Sequence, residues 1–494
     1  MFCIMLVYNQ HKDIEECNLY LHKLLDNLIT HLNKSPAVAQ KITDPLKNED
    51  LLHLSYQGED LHSLYSDLLY IATQSTNFSS VFFAAFPDSG NEFSGIIGGI
   101  TSLFLQQNLI NQQYCSPLAT FIDMAIIKWM REYVGYERLS SKDIHNLGGI
   151  ITTGGTISNV IALLMARTQK KPESLSVGIR EPSEFCIVVP ADIEHYSIKS
   201  GQMWLGCGNN VLEVKTKNGR YDINDLKKVL LVNKNKVMAV VAYAGDSKTM
   251  TIEHLKKVHD VVKSIDENIW LHVDACNGFC LAFSNRLRNK LDGINLYDSI
   301  AMDPHKMMMI PYTASILLLK NPKSLRSVQT YFDLIMSGDM DLGITTPFIG
   351  SKSFISLKIW SMMKSYGKQG LSDYVEDRYK KAQYFKKKLL ETKKFKVLNS
   401  VDAFAVVFIY YPSVNIEIET INRININLHN SLLKKHKLLL HCFMYKDKSG
   451  VVYLNKVLNA LRFFSGNPGV TYRDIDVFVG FLVEEATLII ENNK

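Results

Sequence analysis

Trp270-Leu271-His272-Val273-Asp274-Ala275 and, further on, Asp303-Pro304-His305-Lys306-Met307 decide how this chain is read. Each stretch closes an apolar run and delivers one ionisable side chain, an acid at 274 and an amine at 306. A buried strand ending in a lone carboxylate, followed by one ending in a lysine, is how pyridoxal 5'-phosphate is gripped. The lysine bonds the aldehyde carbon and the acid meets the ring nitrogen. Neither residue is specific alone: strands ending in Val-Asp-Ala are common in α/β proteins, and a loop lysine is ordinarily a solvated charge.

Working outward, Gly148-Gly149-Ile150-Ile151-Thr152-Thr153-Gly154-Gly155-Thr156-Ile157-Ser158-Asn159 reads as a short strand, a Gly-Gly turn and the start of a helix over Val160–Arg167. Glycines 154 and 155 let the backbone approach an anion, and Thr156 adds a hydroxyl at a helix N-terminus, where free N–H groups favour phosphate. An ordinary turn with a threonine cap fits the same residues. The stretch lacks Gly-Lys-Ser/Thr and GxGxxG, which disfavours nucleotide binding.

From 184 to 303 apolar runs (Phe185–Val189, Val237–Ala242, Ile269–Val273) alternate with helical patterns (Tyr196–Gly201, His254–Ile265). Such alternation predicts βα units, a mostly parallel sheet, and ligands at the carboxyl ends of its strands. The Gly-Gly turn, Asp274 and Lys306 all fall at such ends. His195, in His195-Tyr196-Ser197-Ile198-Lys199, follows a strand too, although a lone histidine is more often structural.

The flanks are plainer. Apolar positions at helical spacing, among them Leu21, Leu24, Leu25 and Leu28, predict helices over 11–75, broken at Pro36 and Pro45. Phe82-Phe83-Ala84-Ala85-Phe86-Pro87-Asp88 is an aromatic strand or turn that either lines a pocket or packs a core. Residues 92–135 predict two helices around a polar loop, with Pro117 at a helix start. Met336–Thr346 is a Gly- and Asp-rich loop. Helices are expected over 356–366, 382–393, 421–435 and 474–490, and strands over 403–411 and 451–454, which suits a smaller α+β domain.

At 494 residues, 47% hydrophobic and 21% charged, the chain is a soluble globular protein of about two or three domains. Its net charge of +6 is scattered, with no footprint for nucleic acid. Eight cysteines show neither CxxC nor zinc spacing, so no metal is expected, and they read as reduced thiols in a cytoplasmic protein. Met1–Tyr8 is apolar but too short for a signal peptide or membrane span, and no apolar run elsewhere reaches the length needed to cross a bilayer.

With these stretches in hand, the chain resembles the group II pyridoxal-phosphate-dependent decarboxylases, which act on aromatic L-amino acids, glutamate, cysteine sulfinate and diaminobutyrate. The likeness runs from Ser79 to the C-terminal helix. It is carried by Phe82-Phe83-Ala84-Ala85-Phe86-Pro87, Ser116-Pro117 with Thr120, Gly154-Gly155-Thr156-Ile157-Ser158-Asn159, His195-Tyr196-Ser197-Ile198-Lys199, His272-Val273-Asp274-Ala275, Asp303-Pro304-His305-Lys306 and Asn467-Pro468.

The resemblance implies the type I, aspartate aminotransferase-like fold of pyridoxal-phosphate enzymes. An N-terminal helical segment (1–90), a large cofactor-binding domain (91–350) and a small C-terminal α+β domain (351–494) would form a homodimer with its active site at the subunit interface. It assigns Lys306 to the covalent bond, Asp274 to the ring nitrogen and His195 to the ring face. Gly154, Gly155 and Thr156 would hold phosphate, with Ser299 and His305 near it, and Ser247 would place a hydroxyl close to His195. Phe82, Phe86, Pro87 and Asp88 would meet the substrate, with an aromatic amino acid weakly favoured.

The chain departs from the family in four places, one being Ala85 and Asp88, where aromatic-substrate members carry Tyr and Thr, which leaves the side-chain preference undecided. Asp246-Ser247 replaces a Thr-Thr pair. An arginine-rich stretch is reduced to Lys352, with Ser353 and Ile355 beside it. The loop tyrosine that protonates Cα has no clear counterpart around Leu342-Gly343-Ile344. The last change leaves two further readings open, an aldehyde synthase and a non-catalytic binding protein.

Overall fold

Apolar runs after residue 148 become a seven-stranded sheet: β1 (Gly149–Thr152), β2 (Cys186–Pro190), β3 (Val211–Val214), β4 (Val237–Tyr243), β5 (Trp270–Asp274), β6 (Ser299–Met302) and β7 (Ser315–Leu319). Their spatial order is β1-β7-β6-β5-β4-β2-β3. Neighbours from β6 through β5, β4 and β2 to β3 run parallel, while β7 is antiparallel to both β6 and β1. This computed structural model describes residues 14–34, 54, 56–88, 90–139, 143–193, 195–336, 338–412 and 416–491. The apolar opening and the breaks expected at Pro36 and Pro45 lie outside them.

Strands this apolar must be covered on both faces. On one face Leu271, Val273, Ile300 and Met302 pack with Ile126 and Met130 of α4 (Ala119–Val134) and Val258 of α8 (Leu255–Ile265). On the other, Trp270, Val241 and Leu317 meet Ile161 and Leu164 of α5 (Gly155–Lys170) and Ile198 of α6 (Tyr196–Trp204). Because side chains alternate along a strand, His272 and Asp274 lie on the Trp270 side, toward α5.

Before the sheet stand α1 (Ile14–Lys34), α2 (Leu61–Gln74) and α3 (Phe93–Leu105); α7 (Ile223–Asn233) lies between β3 and β4. The long α9 (Ser356–Glu391) joins the two predicted helices into one element with a break at Gly367, whose φ of 60° and ψ of −177° are non-helical.

The remainder forms a second, antiparallel sheet in the order β8 (Phe395–Val397), β9 (Ala405–Tyr410), β11 (Val457–Phe464), β10 (His441–Lys446). It is packed by α10 (Ile418–His436) and α11 (Tyr472–Glu491) around Phe385, Phe408, Leu428 and Phe478. The strand expected over 451–454 is absent. Those residues turn instead, because the Asp447 carboxylate accepts the N–H groups of Val451, Val452 and Tyr453 and so removes them from any ladder. Among the described residues no helix is long and apolar enough to cross a membrane.

Candidate active site

Asp274 closes β5 and is buried. Its Oδ2 accepts from Asn159 Nδ2 at 2.9 Å, its Oδ1 from the Cys276 N–H at 3.1 Å, and His195 Nδ1 lies 3.9 Å from Oδ2. Burial alone would raise its pKa, but His195, Lys306, the Cys276 hydrogen bond and His272 together hold it below the ordinary carboxylate value.

Behind it runs a chain of hydrogen bonds whose proton positions follow from donor chemistry. Trp270 Nε1–H donates to Ser299 Oγ at 2.8 Å, and the Ser299 hydroxyl then donates to His272 Nδ1, also 2.8 Å. That leaves His272 Nε2–H to donate to Asn159 Oδ1 at 2.9 Å and the Asn159 amide to donate to Asp274 and to Ser197 Oγ. His272 is fully buried, which pushes its pKa down to about 4 and keeps it neutral, as the chain requires. Ser197 Oγ in turn lies 2.5 Å from His195 Nδ1.

Lys306 sits on a single helical turn, Pro304–Met307, directly after β6. Its Nζ is 2.9 Å from Asp303 Oδ2, and Asp303 also accepts from the Ser315 hydroxyl. Burial would lower the amine's pKa, yet Asp303, then Cys276 and Asp274, hold it above the ordinary lysine value. His305 Nδ1 is 2.6 Å from the Ala314 carbonyl, and its Nε2 is 3.8 Å from Asp303.

The start of α5 completes the cluster. A Cβ on Gly155 would stand 2.6 Å from Asp303 Oδ2 and 2.7 Å from Cys276 Sγ, so only glycine brings the helix this close. A Cβ on Gly154 would meet nothing within 4 Å, and no side chain caps the first turn. Open space over uncapped N–H groups suits an anion. Thr156 Oγ1 lies 3.3 Å from the Tyr196 hydroxyl, and the Tyr196 ring stacks on His195. An ionised buried acid, a lysine amine and an anion cradle together fit pyridoxal 5'-phosphate.

Not every predicted residue joins this cluster. The Ser299 hydroxyl is taken up by Trp270 and His272, deep in the sheet, so it reaches the site only through His272. Ser247 is exposed, its carbonyl accepts from Arg462, and the hydroxyl on His195 belongs to Ser197. Phe82 packs on Phe478 of the small domain, whereas Phe86 stands against His441, with ring centroids 4.7 Å apart. Asp88 accepts from the Tyr312 hydroxyl, and the Tyr312 ring is 4.7 Å from that of His305. Lys352 is buried and neutralised by Asp123. Among the described residues no group of His, Cys, Asp and Glu is arranged to hold a metal.

The pyridoxal-dependent decarboxylase conserved domain matches residues 45–411. The chain belongs to the pyridoxal-dependent decarboxylase family. It is therefore a pyridoxal-phosphate-dependent amino-acid decarboxylase by class, and pyridoxal 5'-phosphate is its cofactor. It is 30% identical to the aspartate 1-decarboxylase of Aliivibrio fischeri over 286 residues, 54% of this chain and 52% of that protein, so that match spans about half the relative's length. It is 24% identical to the aromatic-L-amino-acid decarboxylase of Bacillus atrophaeus over 89% of this chain and 91% of that one. The crystal structure of Oryza sativa TDC with PLP and tryptamine superposes with a TM-score of 0.86 at 19% identity, covering 98% of this chain and 100% of that one; the likeness shows the fold.

Proposed function

We propose that this family member removes the α-carboxyl group of an L-amino acid as carbon dioxide, leaving the amine, and that an aromatic side chain is preferred. One observation carries the first part: a carboxylate held ionised in the sheet and a lysine amine meet beside an uncapped helix N-terminus. When bound, pyridoxal 5'-phosphate supplies an aldehyde carbon for the substrate amine and a protonated ring that draws off the electron pair left by the departing carboxylate.

The chain's own residues supply the rest. Asp274, fed by donors from Asn159 and Cys276, keeps a negative charge where a ring nitrogen needs one. Lys306 would bond the aldehyde carbon once its amine is neutral, and Asp303, 2.9 Å from Nζ, stabilises the charged form. Gly154, Gly155 and Thr156 would offer N–H donors and a hydroxyl to phosphate, with His305 nearby, and His195 would cover the ring face. A homodimer completing the site between subunits belongs to the same proposal.

For the side chain, an acidic substrate would bring a second negative charge toward Asp88, which the Tyr312 hydroxyl already engages. Phe86 and Tyr312 are both partly exposed and aromatic, and they support the aromatic choice. A second reading rests on Leu342–Thr345, a buried turn that offers no tyrosine. Without that proton donor, dioxygen and water would carry the amine on to an aldehyde, with one ammonia and one hydrogen peroxide released for each carbon dioxide.

The test is product stoichiometry with the holoenzyme on a panel of aromatic, acidic and dibasic amino acids. Carbon dioxide matched by amine supports the proposal; peroxide and ammonia matched to carbon dioxide select the aldehyde synthase. A Lys306→Ala protein as active as wild type would overturn both.

A further inference from the structure

Lys358, in the first turn of α9, is buried and has no carboxylate partner among the described residues. Its Nζ donates instead to three consecutive carbonyls, those of Pro311 (2.8 Å), Tyr312 (3.2 Å) and Thr313 (3.3 Å). An ammonium has three N–H donors, so this set exhausts it. The side chain gets there because α3 lies against α9 with almost no gap. A Cβ on Gly98 would sit 2.6 Å from Ser361 Oγ and 2.8 Å from the Leu357 carbonyl, and one on Gly95 would sit 3.1 Å from Pro311 Cδ. Gly99 runs along the lysine's aliphatic stem, 3.5 Å from Cδ at its would-be Cβ.

The segment so gathered is the one that leaves the Lys306 turn and carries Tyr312 onto His305 and Asp88. We propose that Lys358 is a positioning residue of the active site: by collecting three successive carbonyls it fixes the Pro311–Thr313 bend, and with it the Tyr312–Asp88 wall that faces the substrate beside Lys306. The clamp rests on the proposed function only in that a substrate occupies this space.

Burial, with nothing opposing it, lowers the Lys358 pKa to about 8. The ionisable groups around it are otherwise engaged. Glu92 caps α3 through Ser94 and Gly95, the Tyr312 hydroxyl is given to Asp88, and Lys352 is paired with Asp123. Above that pH the amine keeps two N–H donors for three carbonyls, so one loses its partner and the bend loosens. Because the folded-state value is depressed, global stability rises rather than falls as pH climbs from about 8 toward the unfolded lysine value. Local loosening and global weakening therefore have opposite signs.

The experiment compares wild type, Lys358→Met and Lys358→Arg by amide hydrogen exchange of the 307–318 peptide in cofactor-free protein at pH 7 and 9, corrected for the intrinsic rate. We expect wild-type protection to fall about tenfold at pH 9, Lys358→Met to be deprotected at both pH values, and Lys358→Arg, still charged, to stay protected at both. In holoenzyme, Lys358→Met should raise KM about tenfold or more while cofactor affinity holds. Equal protection in folded Lys358→Met and wild type, or cofactor affinity falling in step with KM, overturns the clamp. Exchange is read without cofactor or substrate, so a failed substrate screen would count against the proposed function and not against the clamp.

Discussion

Asp303→Asn is the sharpest perturbation the site offers. The substitution keeps shape and an oxygen that the Ser315 hydroxyl can still reach, yet removes the charge 2.9 Å from Lys306 Nζ. At an effective dielectric of about 20, two unit charges at that separation attract by about 6 kcal/mol. Lys306 is only 21% exposed, and Asp274 retains part of its hold, so about a third to a half of that attraction should be lost on substitution. The amine then gives up its proton more easily by about 2–3 kcal/mol, or roughly 30- to 150-fold in the neutral fraction below its pKa. Acylation of Lys306 in cofactor-free protein at pH 8, followed by peptide mass spectrometry, reads that fraction directly. A labelling rate within twofold of wild type would refute the reasoning, because Asp303 would then not be what keeps the amine charged.

Other consequences concern the same cluster. Asn159→Ala orphans a buried donor, the His272 Nε2–H, and a buried acceptor, Oδ2 of Asp274, and should cost about 2–4 kcal/mol in urea unfolding of cofactor-free protein. Gly155→Ala forces a methyl against Asp303 and should lower the melting temperature by the equivalent of about 1–3 kcal/mol, whereas Gly154→Ala, whose Cβ meets open space, should leave it unchanged. His272 is neutral in the folded state down to about pH 4 but protonates near 6.5 when unfolded, so stability is lost as pH falls through that window. His272→Gln should flatten the acid limb of a stability–pH curve by up to about 3 kcal/mol. Tyr312→Phe frees Asp88, and steady-state kinetics should show KM raised about tenfold with kcat less affected.

Much of the architecture was legible because its signals are local. Apolar runs that end in Asp274 or Lys306 mark buried parallel strands, and Gly-Gly before an alanine-rich helix marks the turn. The strand expected at Val451–Leu454 failed for a reason that β-propensity does not contain: a single carboxylate, Asp447, claims the backbone donors. Helix α9 was seen only at its ends, since the tyrosines, lysines and acids of its middle show little apolar periodicity.

The site's inner network was invisible for another reason. Asn159 and His272 stand 113 positions apart, Asp303 pairs with a lysine on its own turn, and Lys358 works through carbonyls, which every residue has. Asp303, four residues before Met307 in the quoted stretch, was in plain view, and the i,i+3 spacing to Lys306 on a helical turn is the signal that would have found it.

The route from Trp270 through Ser299, His272 and Asn159 to Asp274 has only one arrangement of hydrogens, because it begins at an indole that can only give and ends at a carboxylate that can only receive. Polarity therefore accumulates in a single sense along it. An indole that never touches a ligand thus helps decide how basic the acid at the far end is, and the strand's interior becomes part of the electronics of the pocket.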